Sequence, residues 1–141
     1  MENGDLFNSI NIKRAFSPAS TADNTAMVSQ IIDMQGQSAL VFAIATGSLA
    51  DADATFTVLV EEGDAANLSD AAAVADADLL GTEALASFTY ADDNKCYKIG
   101  YKGIKRYVRL TITPANNASA ALVSAVAIVV PQITPASNPP A

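Results

Sequence analysis

Three carboxylate clusters and one basic, aromatic segment hold most of the side chains that could do chemistry in this sequence. Asp51-Ala52-Asp53, Asp76-Ala77-Asp78 and Asp92-Asp93-Asn94 each offer hard oxygen donors of the type calcium takes. The spacing of a calcium loop is not met. Counted from Asp51, Phe56 stands where the sharp turn needs glycine, although Glu62 falls at the twelfth position. Counted from Asp76, Gly81 is in place but Ser87 stands where the bidentate glutamate belongs. Solvated turns are the better reading, and no metal site is assigned. Paired carboxylates also run glycoside hydrolysis, but a sugar site needs stacking aromatics beside the acids, and aromatics are 6% of the chain with no Trp.

The remaining inventory is thin. There is no His, so Ser-His-Asp and Cys-His arrangements, an imidazole base and His-held metals are excluded. The single Cys, Cys96, makes no internal disulfide, and without a His partner it reads as structural. Gly100 and Gly103 open no GxGxxG or GxxxxGK[ST] pattern and read as hairpin glycines. No catalytic residue and no cofactor is assigned, and the chain is expected not to be an enzyme.

Tyr97, Tyr101 and Tyr107 lie among Lys98, Lys102, Lys105, Arg106 and Arg109. A strand pair of this kind could stack bases or sugar rings. On the solvent face of a sheet such side chains more often form cross-strand pairs or a protein contact surface. The charge pattern points the same way. Net charge is −7, which disfavours a phosphate-gripping surface, and no direct nucleic-acid partner is expected. Thirteen of the 15 acids lie between Ala15 and Asn94, a stretch with no Lys or Arg; six of the eight basic residues follow between Lys95 and Arg109. Residues 120–130 are the most apolar run, too short for the ~20 residues of a membrane-spanning helix, so a buried strand is expected and no membrane partner. The N-terminal residues lack the pattern of a secretion signal, and the chain is expected to stay where it is made.

The elements that position these residues read as strands. At 55–61, Phe56, Val58 and Val60 share one face; at 107–113, Val108, Leu110 and Ile112 do. Further strands are expected at 10–16, 26–33, 39–45, 84–90, 96–101 and 120–130, the last long enough to suggest a bulge. A long loop is expected at 17–24, where Pro18 stands among small polar residues. One short helical turn is expected near 68–77, where Ser69 or Asp70 could cap an Ala-rich stretch. The fold class is therefore all-β, an antiparallel two-layer β-sandwich of jelly-roll type, with a closed barrel as the rival. Residues 1–130 form one domain, and 131–141, with four of the six prolines, a Pro-rich C-terminal arm.

The run Ile99-Gly100-Tyr101-Lys102-Gly103-Ile104-Lys105-Arg106-Tyr107-Val108-Arg109-Leu110-Thr111-Ile112-Thr113-Pro114 resembles small virion proteins of tailed bacteriophages. Phe56-Thr57-Val58, Glu61-Glu62-Gly63-Asp64 and Ala77-Asp78-Leu79-Leu80-Gly81 extend the likeness upstream. Within that group the chain is similar to capsid cement, or decoration, proteins of the jelly-roll kind found on Bordetella phage. The resemblance implies a non-enzymatic protein, made in the bacterial host cytoplasm, that sits on the outer surface of the capsid. It would clamp neighbouring capsomers, with the major capsid protein as partner and self-association as a homodimer. The contact residues expected on this reading are Lys98, Tyr101, Lys102, Lys105, Arg106 and Arg109 in the basic hairpin, and Pro131, Ile133 and Pro135 in the arm. The alternatives are a neck or tail-tube component, or a soluble carbohydrate- or ligand-binding β-sandwich using the three tyrosines.

Overall fold

Alternating apolar and polar side chains divide each long strand into an inward and an outward face, and the fold is the arrangement that gives every inward face a partner. The computed structural model describes residues 4–133. In chain order its strands are β1 (Asn11–Thr21), β2 (Met27–Val28), β3 (Ile32–Asp33), β4 (Gln37–Leu49), β5 (Thr55–Gly63) and β6 (Ala72–Ala73). A 3-10 turn (Asp76–Asp78) leads into β7 (Leu79–Leu80), and one helical turn, α1 (Glu83–Ala86), precedes β8 (Phe88–Thr89). β9 (Cys96–Tyr101), β10 (Tyr107–Ala115) and β11 (Ala121–Pro131) complete the strands among the described residues.

The first sheet has the order β1-β11-β4-β9-β7; in the second, β10 pairs with β2, β3 and β5, and β5 also pairs with β6 and β8. All pairings are antiparallel. The collinear fragments β2 and β3 count as one strand, as do β6 and β8, and the two-residue β7, an addition at the edge of β9, stands outside the count. First then pairs with last, second with seventh, third with sixth and fourth with fifth. That nesting of a rolled-up hairpin is the jelly roll, and the two-layer sandwich expected from sequence is what forms.

Between the sheets lie Phe42, Ile44 and Leu40 from β4, Phe56, Val58 and Val60 from β5, Ile99 from β9, Val108, Leu110 and Ile112 from β10, and Val129 from β11, all essentially inaccessible. Phe56 stacks on Phe88 with ring centroids 4.9 Å apart, and Phe88 stacks on Tyr97 at 5.5 Å, so one aromatic column ties the second sheet to the first.

Five local expectations are corrected. The stretch 17–24 is not all loop, because β1 continues to Thr21; Pro18 is tolerated on this edge strand inside a register shift between Phe16 and Ala19. The 26–33 strand is split at Ser29, whose N–H still donates to the Leu110 carbonyl at 2.8 Å while its hydroxyl, in place of its own carbonyl, accepts the Leu110 N–H at 2.9 Å. The helical turn near 68–77 is displaced. There Leu68 takes a positive φ and Ala72–Ala73 pairs with β5, leaving only the 3-10 turn at Asp76–Asp78. The α turn falls at Glu83–Ala86, inside the expected 84–90 strand, capped by the Thr82 side chain accepting from Leu85 N–H at 3.0 Å and anchored by the Glu83 carboxylate accepting from Val60 N–H at 2.8 Å. The bulge expected in the last strand is not in that strand: β11 runs regularly, and the extra residues stand opposite it, in β4 between Thr46 and Leu49 and in β1 between Arg14 and Ala19.

The Asp92-Asp93-Asn94 turn is fastened by its own carboxylates. Asp92 accepts from Thr89 N–H at 2.9 Å and from the Lys95 ammonium at 2.9 Å, and Asp93 accepts from Leu49 N–H at 3.0 Å. The Thr89 N–H, then Lys95, hold the Asp92 carboxyl down to about 2 from an ordinary value of 3.8. The ionised form is thus favoured by folding; the stability it contributes is complete above pH ~4 and lost as pH falls from about 4 toward 2. Thermal unfolding followed against pH is expected to show Asp92→Asn less stable than the parent at pH 7, with a shallower loss between pH 4 and 2. Parallel acid limbs for the two proteins would contradict this account of the turn.

Candidate interaction surface

The residues expected to form a basic contact hairpin are not on a hairpin. β9 belongs to the first sheet and β10 to the second, so residues 102–106 cross from one layer to the other at an end of the sandwich. Lys98 points outward from the first sheet and Arg109 outward from the second, opposite Glu61. Tyr101 is buried, which removes it from any contact surface: its hydroxyl donates to Glu62 at 2.5 Å and accepts from Lys105 N–H at 3.0 Å. Burial first, then Glu62, raises that hydroxyl well above its ordinary pKa, so it remains a donor. Gly103 lies against the ring, where a Cβ would come within 2.5 Å of the hydroxyl oxygen.

The cations are also largely spoken for. Lys105 meets Asp64 at 2.6 Å, Arg106 grips Asp33 with two bonds at 2.9 and 3.0 Å, and Arg109 meets Glu61 at 3.0 Å. Arg106 also lies 5.0 Å over the Tyr107 ring. These pairs explain the segregation of charge along the sequence: the late basic segment neutralises acids of the earlier strands. Lys98 and Lys102 have no such partner among the described residues.

Nor do the tyrosines make a platform. Tyr97 is half-buried against Phe88, Tyr101 is internal, and Tyr107 lies on the other sheet under Arg106. Of the arm residues, Pro131 closes β11 opposite Gln37 and Ile133 is 84% exposed, while Pro135 lies outside the described residues. The carboxylate clusters serve turns: Asp51 accepts from Ala118 N–H at 2.6 Å, and among the described residues no group of three or more His, Cys, Asp or Glu could hold a metal.

What the structure does expose is the outer face of the first sheet. Register places Ile12, Ile128, Val41, Gly100 and Leu80 in one row across all five strands. The next row is Arg14, Val126, Ala43 and Lys98; beyond it come Ser124, Ala45 and Cys96. Val130 and Ala39 flank the first row, and Leu122 lies at the far end. Ile12, Leu80, Leu122 and Val126 are 38–52% exposed. A Cβ on Gly100 would stand 2.9 Å from Leu80 Cβ, so glycine there lets Leu80 lie over the strand and keeps the row flat. None of the five strands contains an acid, although the chain carries 15. The outer face of the second sheet is more polar, with Thr57, Glu61, Arg109, Thr111 and Thr113 turned outward beside the apolar Leu59 and Val28.

Where β1 bulges away from β11, the face carries a depression of about 400 Å³ whose lining includes the apolar Pro18, Ala19, Ala45 and Leu122 and the hydroxyl residues Ser20 and Ser124. At the end of the sandwich, the 102–106 crossing exposes Ile104 almost completely, at 97%. Sequence reasoning took 120–130 as a buried strand and so missed this face. The signal was present: 122, 126, 128 and 130 are apolar on the parity opposite to 121, 123, 125, 127 and 129, and an antiparallel strand apolar on both parities needs a cover on both sides.

No protein-family model matches the chain, and no curated protein sequence does. Among solved structures it is similar to a xylanase 10B fragment of Clostridium thermocellum holding a CBM22 and a GH10 module (14% identity, TM-score 0.45), covering 88% of this chain and 26% of that one. It is also similar to the SPBc2 prophage-derived protein YomS (8%, TM-score 0.43), covering 84% of this chain and 92% of that one. A third is the structure of infectious bursal disease virus, Gx strain (11%, TM-score 0.37), covering 86% of this chain and 32% of that one. Its structural neighbours thus come from a carbohydrate-degrading enzyme, a prophage and a virus, and the chain spans about a quarter of the first.

The Tyr101–Glu62 bond joins β9 to β5 across the layers, and its loss strands a partly buried carboxylate. Tyr101→Phe is expected to cost roughly 1–3 kcal/mol in denaturant unfolding, with faster proteolysis in the 102–106 crossing. A variant as stable as the parent would show that the bond does not hold the crossing.

Proposed function

We propose that the chain is a structural protein of a phage particle, a cement or decoration protein that binds the outer surface of the head and links neighbouring capsomers. The observation that carries this reading is the exposed, apolar, acid-free face of the first sheet on a molecule whose net charge is −7. An apolar surface of that extent marks a contact with another macromolecule. The resemblance of residues 99–114 to phage virion proteins indicates which one, the major capsid protein. A second exposed apolar point, Ile104 beside Lys102 at the end of the sandwich, faces a different direction and lets one copy touch two neighbours. Many such copies oppose capsomer separation together even when each contact is weak. Adhesion needs no bond-making residues, and the reading is of a protein that is not an enzyme.

Heads of the encoding phage prepared without this gene product, then mixed with the purified chain, provide the test. The chain is expected to co-sediment at hundreds of copies per head and to raise the temperature at which heads open. Occupancy limited to one or a few rings would instead indicate a neck or tail-tube component, and absence of binding would refute the reading.

A further inference from the structure

The outer face of the five-stranded sheet has a plan of roughly 19 by 27 Å from strand spacing and rise. We infer that this face docks on a flat apolar strip of the capsid protein bracketed by two carboxylates about 14 Å apart, the separation of β1 from β9 across three strand spacings. The inference rests on the cement reading and names the surface and the chemistry of its partner.

Charge complementarity selects the occupant. In the row Arg14, Val126, Ala43, Lys98, two cations bracket two apolar residues. Neither cation meets a carboxylate among the described residues; Arg14 bonds only the Ser17 hydroxyl at 3.0 Å. A second copy fits poorly. With the two-fold axis along the strands, Arg14 of one copy faces Lys98 of the other; with the axis along the row, each cation faces its own equivalent. Like charges would meet at the rim either way, and no acid on the face relieves them. Area argues in the same direction. The plan of roughly 500 Å² falls short of the ~800 Å² per partner of a standard stable interface, so the face suits a contact repeated around a shell better than an isolated dimer.

The depression whose lining includes Pro18, Ala19, Ala45, Gly47 and Leu122 gives the strip a place for one protruding apolar side chain. Gly47 keeps it open, because a Cβ there would stand 3.1 Å from Leu122 Cβ. The bulges of β1 that form it lie beside the row of cations, so the anchor and the bracket belong to one surface.

The test compares head binding of four proteins: the parent, Val126→Asp, the double variant Arg14→Glu with Lys98→Glu, and Thr57→Glu on the outer face of the second sheet. All four changes are at outward positions, and circular dichroism with thermal unfolding checks that each variant folds. Val126→Asp and the double variant are expected to bind heads roughly tenfold more weakly or worse, and Thr57→Glu as the parent does. The parent's affinity is expected to fall with added salt, and that dependence to weaken in the double variant. If the parent binds and Val126→Asp binds equally well, this face is not the contact and the inference fails while the cement reading stands. If the parent does not bind, the cement reading fails and takes the inference with it. Sedimentation of the free chain supplies the remaining outcome: a dimer that Val126→Asp converts to monomer would make a second copy the occupant and overturn the proposal.

Discussion

The pairing of β11 between β1 and β4 is the constraint on which the rest depends. One parity of that strand supplies Ala121, Val123, Ala125, Ala127 and Val129 to the core, and the other supplies Leu122, Val126, Ile128 and Val130 to the outside. A slip of one residue would exchange the two sets. Because both are apolar, the register is fixed by the partners and not by the strand's own alternation: β4 offers Leu40, Phe42 and Ile44 inward with only Ala39, Val41, Ala43 and Ala45 outward. Extra residues of β4, opposite Ala121/Val123 and opposite Val130/Pro131, end the regular ladder on either side. The same pairing joins the ends of the described chain, so the jelly roll closes only when its most distant segments meet.

The distribution of acids follows from the division into two sheets. Carboxylates are kept out of the first sheet and are used elsewhere as fasteners. Asp51, Asp92 and Asp93 accept backbone N–H groups at turns, Glu83 accepts one from β5, and Asp33, Asp64 and Glu61 receive the late basic segment. Most of these pairs are exposed and contribute little each. Their effect is on which surface stays neutral: the second sheet's outer face becomes more polar and paired, while the first sheet's outer face keeps two cations and no anion.

The sequence was legible where one strand face was polar. Residues 107–113 alternate throughout and 55–61 do so except at Leu59, and both strands, the sandwich and its antiparallel order are as those patterns imply. It was misleading where tertiary contacts overrule local signals. Pro18 reads as a loop residue but sits in an edge-strand bulge, and the Ala-rich 68–77 stretch reads as helical although nothing there gives a helix an apolar stripe to bury. The candidate site was the least legible part. Lys105, Arg106 and Arg109 read as a partner-facing patch because their acids, Asp64, Asp33 and Glu61, lie 41 to 73 residues away and come beside them only through the sheet pairing. Conversely, a run as apolar as 120–130 reads as interior until the register shows that nothing within the described chain covers half of it.

Cys96 gives the most direct view of whether that half is covered in use. It is the chain's one thiol, is exposed, and stands on the outer face in the row of Ser124 and Ala45. Maleimide labelling of Cys96 can be timed on the free chain and on the chain bound to heads. The account predicts rapid labelling in solution and strong protection on the particle, lifted when the chain is released. Equal rates in the two states would mean that the apolar face stays open to solvent on the head and would contradict the central claim.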